Sequence, residues 1–269
     1  MSDQCIIKIC LKSDYDVQKE LEKLLSFVQN VDKIYYNFYR QEYRSSQRYE
    51  DTTWMGIYTE QMAKSLLKKR LRGTFPFFLD VYGTQAGTIR EAFTLARLGK
   101  TMFLYLILCK ENFIIRREAI FLMVEYLIAE NVMLIGYCSD LADFWWNEQA
   151  GVLESSVWRQ RRRRIYASYN TVDYSLEEEK RLFWGDEVLY PASWTSWCNH
   201  NFLCESKDRL LEKHKPLFYA KTEIQNGIML QLYKEIDGYK ERKNRLKSQN
   251  FYAYLKNNKI FTCGFGKLC

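Results

Sequence analysis

The sequence predicts an α/β fold in which a parallel β-sheet is flanked by helices and followed by a mostly helical C-terminal region. Two observations support this prediction. Short apolar runs rich in β-branched and aromatic residues alternate five times with helical patterns in the first half of the 269-residue chain. After about residue 150 these runs stop, and tryptophan, tyrosine and charged residues become frequent. We therefore expect an α/β domain at residues 1–145 and a helical, basic, aromatic-rich region at residues 146–269.

Each element follows from a local pattern of apolar residues. Strands are expected where β-branched and aromatic residues cluster, at residues 5–11, 31–41, 74–81, 101–109 and 132–138. Helices are expected where apolar residues recur at helical spacing, at residues 13–30, 55–73, 88–98, 116–131, 175–184 and 223–247, with residues 42–53 as a loop. The alternation is typical of a flavodoxin- or Rossmann-like sheet, in which ligands bind at the carboxyl ends of the strands.

The composition narrows the classes of protein that need to be considered. Hydrophobic residues make up 47% of the chain, which is typical of a folded globular protein. The formal net charge of +7 permits contact with an anion without requiring it. The eight cysteines are scattered and the N-terminus does not have the pattern of a secretion signal, so we expect a protein of the reducing cytoplasm. The longest apolar stretches are too short to cross a membrane, so no membrane partner is expected.

A short patterned segment separates the apolar runs at 74–81 and 101–109. It contains Gly87-Thr88, then Glu91, then Gly99-Lys100. One interpretation is structural, with Thr88 and Glu91 forming a capping box at the start of a helix that Gly99 ends. The other interpretation is chemical, with the Glu91 carboxylate facing a pocket at the edge of the sheet.

The same segment resembles the nucleoside 2-deoxyribosyltransferase-like superfamily. The residues that carry the resemblance are Leu79-Asp80, Gly87-Thr88-Ile89-Arg90-Glu91, Ala92, Ala96 and Leu98-Gly99-Lys100. The resemblance implies cleavage or transfer at the N-glycosidic bond of a nucleoside or nucleotide. In that activity Glu91 is the nucleophile, Asp80 binds ribose hydroxyls or moves protons, and Glu60 is a weaker candidate for the second acid. Substrate contacts are expected from Tyr82, Gln85, Gly87 and Thr88.

One position departs from the superfamily pattern. An aspartate often precedes the Gly-Thr step, whereas this chain has Gln85, which can hydrogen-bond a hydroxyl but cannot carry a charge. The departure leaves open hydrolysis of a larger nucleotide such as NAD, or a pocket that has lost catalysis. The single glutamate also resembles the site of TIR-type NAD hydrolases. No cofactor is expected, and NAD enters only as a candidate substrate.

The two histidines lie in a stretch with two further hypotheses. Cys198, His200, Cys204 and His214 could supply four zinc ligands, but their spacing matches no standard zinc motif, so no metal is expected. Arg209 and His214 have a spacing that resembles the signature of HEPN ribonucleases, which is an alternative activity.

A run of arginines among aromatic residues suggests a second class of function. Guanidinium groups bind phosphates and aromatic rings stack on bases, so the run predicts contact with nucleic acid or with an acidic protein partner. A solvated helix face, or an interface that pairs with the acidic stretch at residues 176–180, is the plain structural alternative. Tryptophans outside the run are typical of cores and subunit interfaces, and a homo-oligomer is expected. The arginines are Arg159, Arg161, Arg162, Arg163 and Arg164.

Overall fold

Ten strands form a single sheet in the part of the chain that the computed structural model describes. That part comprises residues 4–12, 18–28, 31–43, 49–59, 61, 77–86, 88–98, 101–141, 193–202, 208, 212 and 217–257. The order across the sheet is β3-β2-β4-β5-β6-β1-β7-β8-β10-β9. The strands are β1 Gln4–Lys12, β2 Lys33–Tyr43, β3 Tyr49–Ile57, β4 Phe77–Gln85, β5 Thr88–Leu98, β6 Thr101–Cys109, β7 Met133–Asp140, β8 Thr195–Asn199, β9 Ala220–Ile224 and β10 Gly227–Gln231. The described helices are α1 Gln18–Leu25, α2 Lys110–Ala129 and α3 Arg242–Asn257, with short 3₁₀ helices at His200–Phe202 and Ile236–Lys240.

Every strand pairing is antiparallel, so the expected parallel, Rossmann-like α/β sheet is wrong. The connections explain the difference. Gln85 pairs with Thr88, and Leu98 pairs with Thr101, so two residues join β4 to β5 and two more join β5 to β6. A connection that short can only reverse the chain, because a parallel pair needs a crossover of a dozen or more residues.

Residues 88–98 form strand β5 instead of the expected helix. Arginine, glutamate and alanine favour a helix in isolation, but pairing with β4 and β6 on both sides outweighs this preference. Side chains alternate along β5, so Phe93 and Leu95 share a face with Glu91 while Thr94 points to the other. Because Thr88 begins a strand, no helix starts there for a capping box to stabilise.

Two more segments differ from the expected elements. Residues 49–57, expected as a loop and the start of a helix, form the edge strand β3. Much of the expected helix at 223–247 is the β9–β10 hairpin, so the C-terminal region extends the sheet and is not mostly helical in its described part. Gln225 and Asn226 form the two-residue turn between Ile224 and Gly227, and Asn226 takes a positive φ of 61°, which asparagine tolerates. The helix α3 begins only at Arg242.

The sheet has two faces, called below the helix face and the Asp80 face. The helix face carries Phe93 and Trp197 and is covered by α2, whose Phe121 ring meets Trp197 edge-on with ring centroids 5.0 Å apart. The Asp80 face carries Asp80 and Thr94, which are cross-strand partners. Strands β7 and β8 are buried along their whole length. The core therefore lies on both sides of the central strands.

None of the described helices, the long α2 included, combines the length and apolar character needed to cross a bilayer.

Candidate functional site

Asp80 and Glu91, the two acids expected to act on one substrate, point to opposite faces of the sheet. Asp80 on β4 is paired with Thr94 on β5, so these two side chains share the Asp80 face. Glu91 is three residues before Thr94 on the same strand and therefore lies on the helix face. A single nucleoside cannot contact both carboxylates through the sheet, and N-glycosidic cleavage stays a prediction of the sequence.

Glu91 is buried, with 1% of its surface exposed. Its carboxylate accepts a hydrogen bond of 2.7 Å from Asn112 Nδ2, in the first turn of α2. The same amide nitrogen donates to the Phe27 carbonyl oxygen just after α1, and Arg116 Nε donates to Asn112 Oδ1. The amino-terminal turn of a helix favours a nearby negative charge. Glu91 thus joins α2 to strand β5 and to the end of α1.

Asp80 lies in a polar environment on the other face. Burial raises its pKa to about 6, and the hydrogen bond of 2.6 Å that Thr94 Oγ1 donates to Asp80 Oδ1 opposes that rise. Tyr82, two residues along β4, shares this face and stacks on Tyr35 with ring centroids 5.5 Å apart. Burial, and then the nearby Asp80 charge and Tyr35, raise the pKa of Tyr82. Asp80 and Tyr82 are the expected site residues that the fold brings together.

Asp80 belongs to a row of polar side chains that crosses the sheet at matching register on seven adjacent strands. Lys8, next to Tyr105 at the centre of the row, is buried, and its Nζ lies 5.2 Å from the centroid of the Tyr105 ring. The row as a whole is not apparent in the sequence, because each member lies on a different strand among mostly apolar neighbours. The members, in order across the sheet, are Asn37, Asp80, Thr94, Tyr105, Lys8, Tyr137 and Ser196.

Replacing Asp80 by asparagine should raise stability at pH 7 by roughly 1–2 kcal/mol and leave it almost unchanged at pH 4. The folded protein holds a proton on Asp80 up to about pH 6, whereas the unfolded chain releases it near the usual value of 3.8. The native state therefore binds more protons in this window, and the stability of the unmodified protein falls as pH rises through it. Urea denaturation at several pH values measures the difference. A difference that does not change between pH 4 and pH 7 would contradict the assignment.

Four of the eight large hydrophobic side chains that are exposed in the described part of the chain lie on α2, on its outer face. Ile114 is 71% exposed, Ile115 80%, Leu122 58% and Tyr126 51%. Ile115, Ala119, Leu122 and Tyr126 are spaced by four, three and four residues, and all four are exposed. This is the a/d spacing of a coiled-coil seam, and these four residues are called the outer seam below.

Three glutamates run beside the outer seam. Glu111, Glu118 and Glu125 recur every seven residues and so occupy equivalent positions next to the apolar residues. Glu111 and Glu118 are exposed, and Glu125 is half-buried. They are called the acidic line below. The outer face of α2 is thus both apolar and acidic on a chain whose formal net charge is +7.

The first turn of α2 is fixed by an ion cluster in addition to Asn112. Lys110 Nζ lies 2.5 Å from Asp140 Oδ2 at the end of β7 and 2.5 Å from Asp237 Oδ1 in the second 3₁₀ helix. Burial alone would lower the pKa of Lys110, but the two carboxylates outweigh it and raise that pKa. The cluster holds the start of α2 against the sheet and against the C-terminal part of the chain.

The last turn of α2 is fixed by asparagines. Asn131 has a φ of 57°, in the left-handed region that ends many helices, and the Val132 amide donates to the Leu127 carbonyl oxygen at 3.0 Å. Asn199 Nδ2 donates to Asn131 Oδ1 at 3.2 Å, and Asn226 Nδ2 donates to the Ala129 carbonyl oxygen at 2.8 Å. Both ends of α2 are therefore held, and its outer face is presented in one position.

The remaining site residues expected from the sequence are scattered or lie outside the described residues. Gln85 is exposed at the far end of β4, five residues and roughly 16 Å along the strand from Asp80. Thr88 is its cross-strand partner. The residues outside the described ranges are Glu60, Gly87, Arg159, Arg161, Arg162, Arg163, Arg164, Cys204, Arg209 and His214.

The two described members of the candidate zinc set show no metal-ligand arrangement. Cys198 is buried in β8, and burial raises the pKa of its thiol to about 12, which opposes the thiolate that a metal needs. His200 follows it in a 3₁₀ helix. Across the ranges that the structure describes, no three His, Cys, Asp or Glu residues come together as a cation site.

Comparisons with known proteins give a fold and no family. No protein-family model matches the chain, and no curated protein matches its sequence. Among solved structures, the Pseudomonas aeruginosa T6SS protein PA0821 is similar, with a TM-score of 0.50 and 9% sequence identity. The match covers 85% of this chain, which spans only 65% of the length of that protein. At this identity the likeness concerns the fold, and it does not test the resemblance to deoxyribosyltransferases.

Proposed function

We propose that this protein is a protein-binding module that uses its sheet as a scaffold and presents the outer face of α2 to a partner protein. The observation that carries the proposal is the exposure of four large apolar side chains on one helix face. Ile114, Ile115, Leu122 and Tyr126 are each more than half exposed. Contiguous apolar surface of this kind, next to polar residues, is typical of protein interaction sites.

The residue pattern of α2 supports a docking role. A surface helix of a globular protein normally has one apolar face and one polar face. α2 has a buried apolar face, and its outer face adds the apolar outer seam beside the acidic line. One face packs on the sheet, through Phe113, Ile120, Met123, Val124, Leu127 and Ile128. A partner protein would cover the other.

The anchoring of α2 also supports the proposal. A binding surface gains affinity when it does not have to be ordered on binding. Asn112 and Lys110 fix the first turn of α2, and Asn131 fixes the last. The outer seam is therefore organised before any partner arrives.

The proposal is tested by removing apolar groups from the outer seam. Ile115→Ser combined with Leu122→Ser should change the free energy of unfolding by less than about 0.5 kcal/mol, because exposed side chains contribute little to stability. The same variant should bind less of a fluorescent hydrophobic dye. Leu246→Ser, on the exposed side of α3, is the matched control and should leave dye binding nearly unchanged. A loss of stability of about 2 kcal/mol or more would mean that the chain itself covers this face, and would contradict the proposal.

A further inference from the structure

We infer that the partner of α2 is a helix with its own apolar seam flanked by lysine or arginine residues. The inference rests on the proposed function and specifies the chemistry of the partner. It follows from the position of the acidic line relative to the outer seam. In a coiled-coil pair, residues that flank the seam meet the flanking residues of the partner and determine which helices pair.

The heptad positions can be assigned along α2. Ile115 and Leu122 take d positions and Ala119 and Tyr126 take a positions, because the steps between them are four, three and four residues. Glu111, Glu118 and Glu125 then all fall at g positions. The e positions on the other side of the seam are Arg116, which bonds Asn112, and Met123, which is buried against the sheet. Arg116 keeps its positive charge, because Asn112 is neutral. The flanking positions therefore carry three carboxylates and one guanidinium, and the charge along the seam is negative overall.

The glutamates at the g positions disfavour pairing of the outer seam with a second copy of α2. Two antiparallel copies would bring g positions against g positions, so that glutamates would face glutamates. Two parallel copies would give the glutamates Arg116 as their single cationic neighbour, because Met123, at the other e position, is apolar and buried in its own protomer. A helix with cations at its flanking positions would instead pair with the acidic line along its whole length. The acidic line also disfavours acidic helices as partners, because like charges across the seam repel each other.

The test uses two synthetic helical peptides that differ only in charge. Both carry leucine at every a and d position, and one has lysine at e and g where the other has glutamate. We expect the lysine peptide to bind the full-length protein about tenfold more tightly at low salt, as the sum of three modest ion pairs. The preference should shrink as ionic strength rises, because exposed charge pairs are screened. Fluorescence anisotropy of labelled peptide measures both affinities.

Two protein variants assign the preference to the acidic line. Glu111→Gln, Glu118→Gln and Glu125→Gln together should abolish the difference between the peptides, and the three corresponding lysine substitutions should reverse it. Circular dichroism and thermal unfolding confirm that each variant is folded.

Three outcomes would overturn the inference, and they are distinguishable from one another. Equal binding of both peptides would leave a docking surface but remove its preference for a basic partner. Binding of neither peptide to the unmodified protein would remove the proposed docking function as well. The peptides could also bind only after the arginine run, from Arg159 to Arg164 inclusive, is replaced by glutamine. That result would make the chain's own basic stretch the occupant of the outer seam.

Discussion

Replacing Lys110 by methionine should lower the free energy of unfolding by about 3 kcal/mol, because it removes a lysine that pairs with a buried carboxylate. The side chain of Asp140 is 0% exposed, and Lys110 Nζ lies 2.5 Å from its Oδ2. Taking a charge out of water is costly, and the cost is offset only while the partner is present. Chemical denaturation of the two proteins measures the difference.

Two controls separate the loss of the buried pair from a general loss of charge. Lys240→Met removes a lysine that is 3.4 Å from Asp237 and is well exposed, so it should change stability by less than about 0.5 kcal/mol. Asp140→Leu added to Lys110→Met should restore most of the lost stability, because the buried carboxylate is then gone and Asp237, the other partner of Lys110, is half exposed. A single Lys110→Met variant as stable as the unmodified protein would show that this cluster does not hold α2.

Replacing Trp197 by alanine should lower the free energy of unfolding by about 4 kcal/mol. Its ring is buried on the helix face and meets Phe121 edge-on at 5.0 Å, so the truncation leaves a cavity between β8 and α2. The loss would also loosen the helix that carries the outer seam. Thermal or urea unfolding measures it.

Trp197→Phe is the matched control for this substitution. It keeps an aromatic ring in the same space, and Trp197 Nε1 makes no hydrogen bond in the described part of the chain. The phenylalanine variant should therefore lose less than half of what the alanine variant loses. Equal losses in the two variants would contradict the packing of Trp197 against α2.

The strands were predictable where an apolar run stands alone, as in β1, β6 and β7. The relative direction of the strands was not predictable from the apolar runs, because it depends on the segments that connect them. The two-residue gaps between Gln85 and Thr88, and between Leu98 and Thr101, carried the information that neighbouring strands are antiparallel. The β9–β10 hairpin likewise reverses the chain over two residues, Gln225 and Asn226. Strand β5 was hidden because its residues favour a helix locally, and only its neighbours determine its conformation.

The candidate site was less predictable than the fold. Asp80 was selected from the sequence, but which face each residue occupies depends on strand register, and register placed Glu91 on the other side of the sheet. The helix at 116–131 was expected, but its outer seam was not recognised. A helix with apolar residues on both faces reveals which of them are exposed only once the buried face is known. Ile114, Ile115, Leu122 and Tyr126 lie outside the set of residues that α2 buries against the sheet, and only the packing of the helix reveals this.

The affinity of the lysine-flanked helical peptide for a Leu122→Asp variant tests the docking surface most directly. Leu122 lies in the middle of the outer seam and is 58% exposed, so the substitution should leave the fold intact. We expect the variant to bind the peptide at least tenfold more weakly than the unmodified protein, because a charge replaces a central apolar contact. Leu246→Asp, an equivalent change on α3, should bind as the unmodified protein does. Unchanged binding by the Leu122→Asp variant, or an equal loss in both variants, would contradict the assignment of α2 as the docking surface.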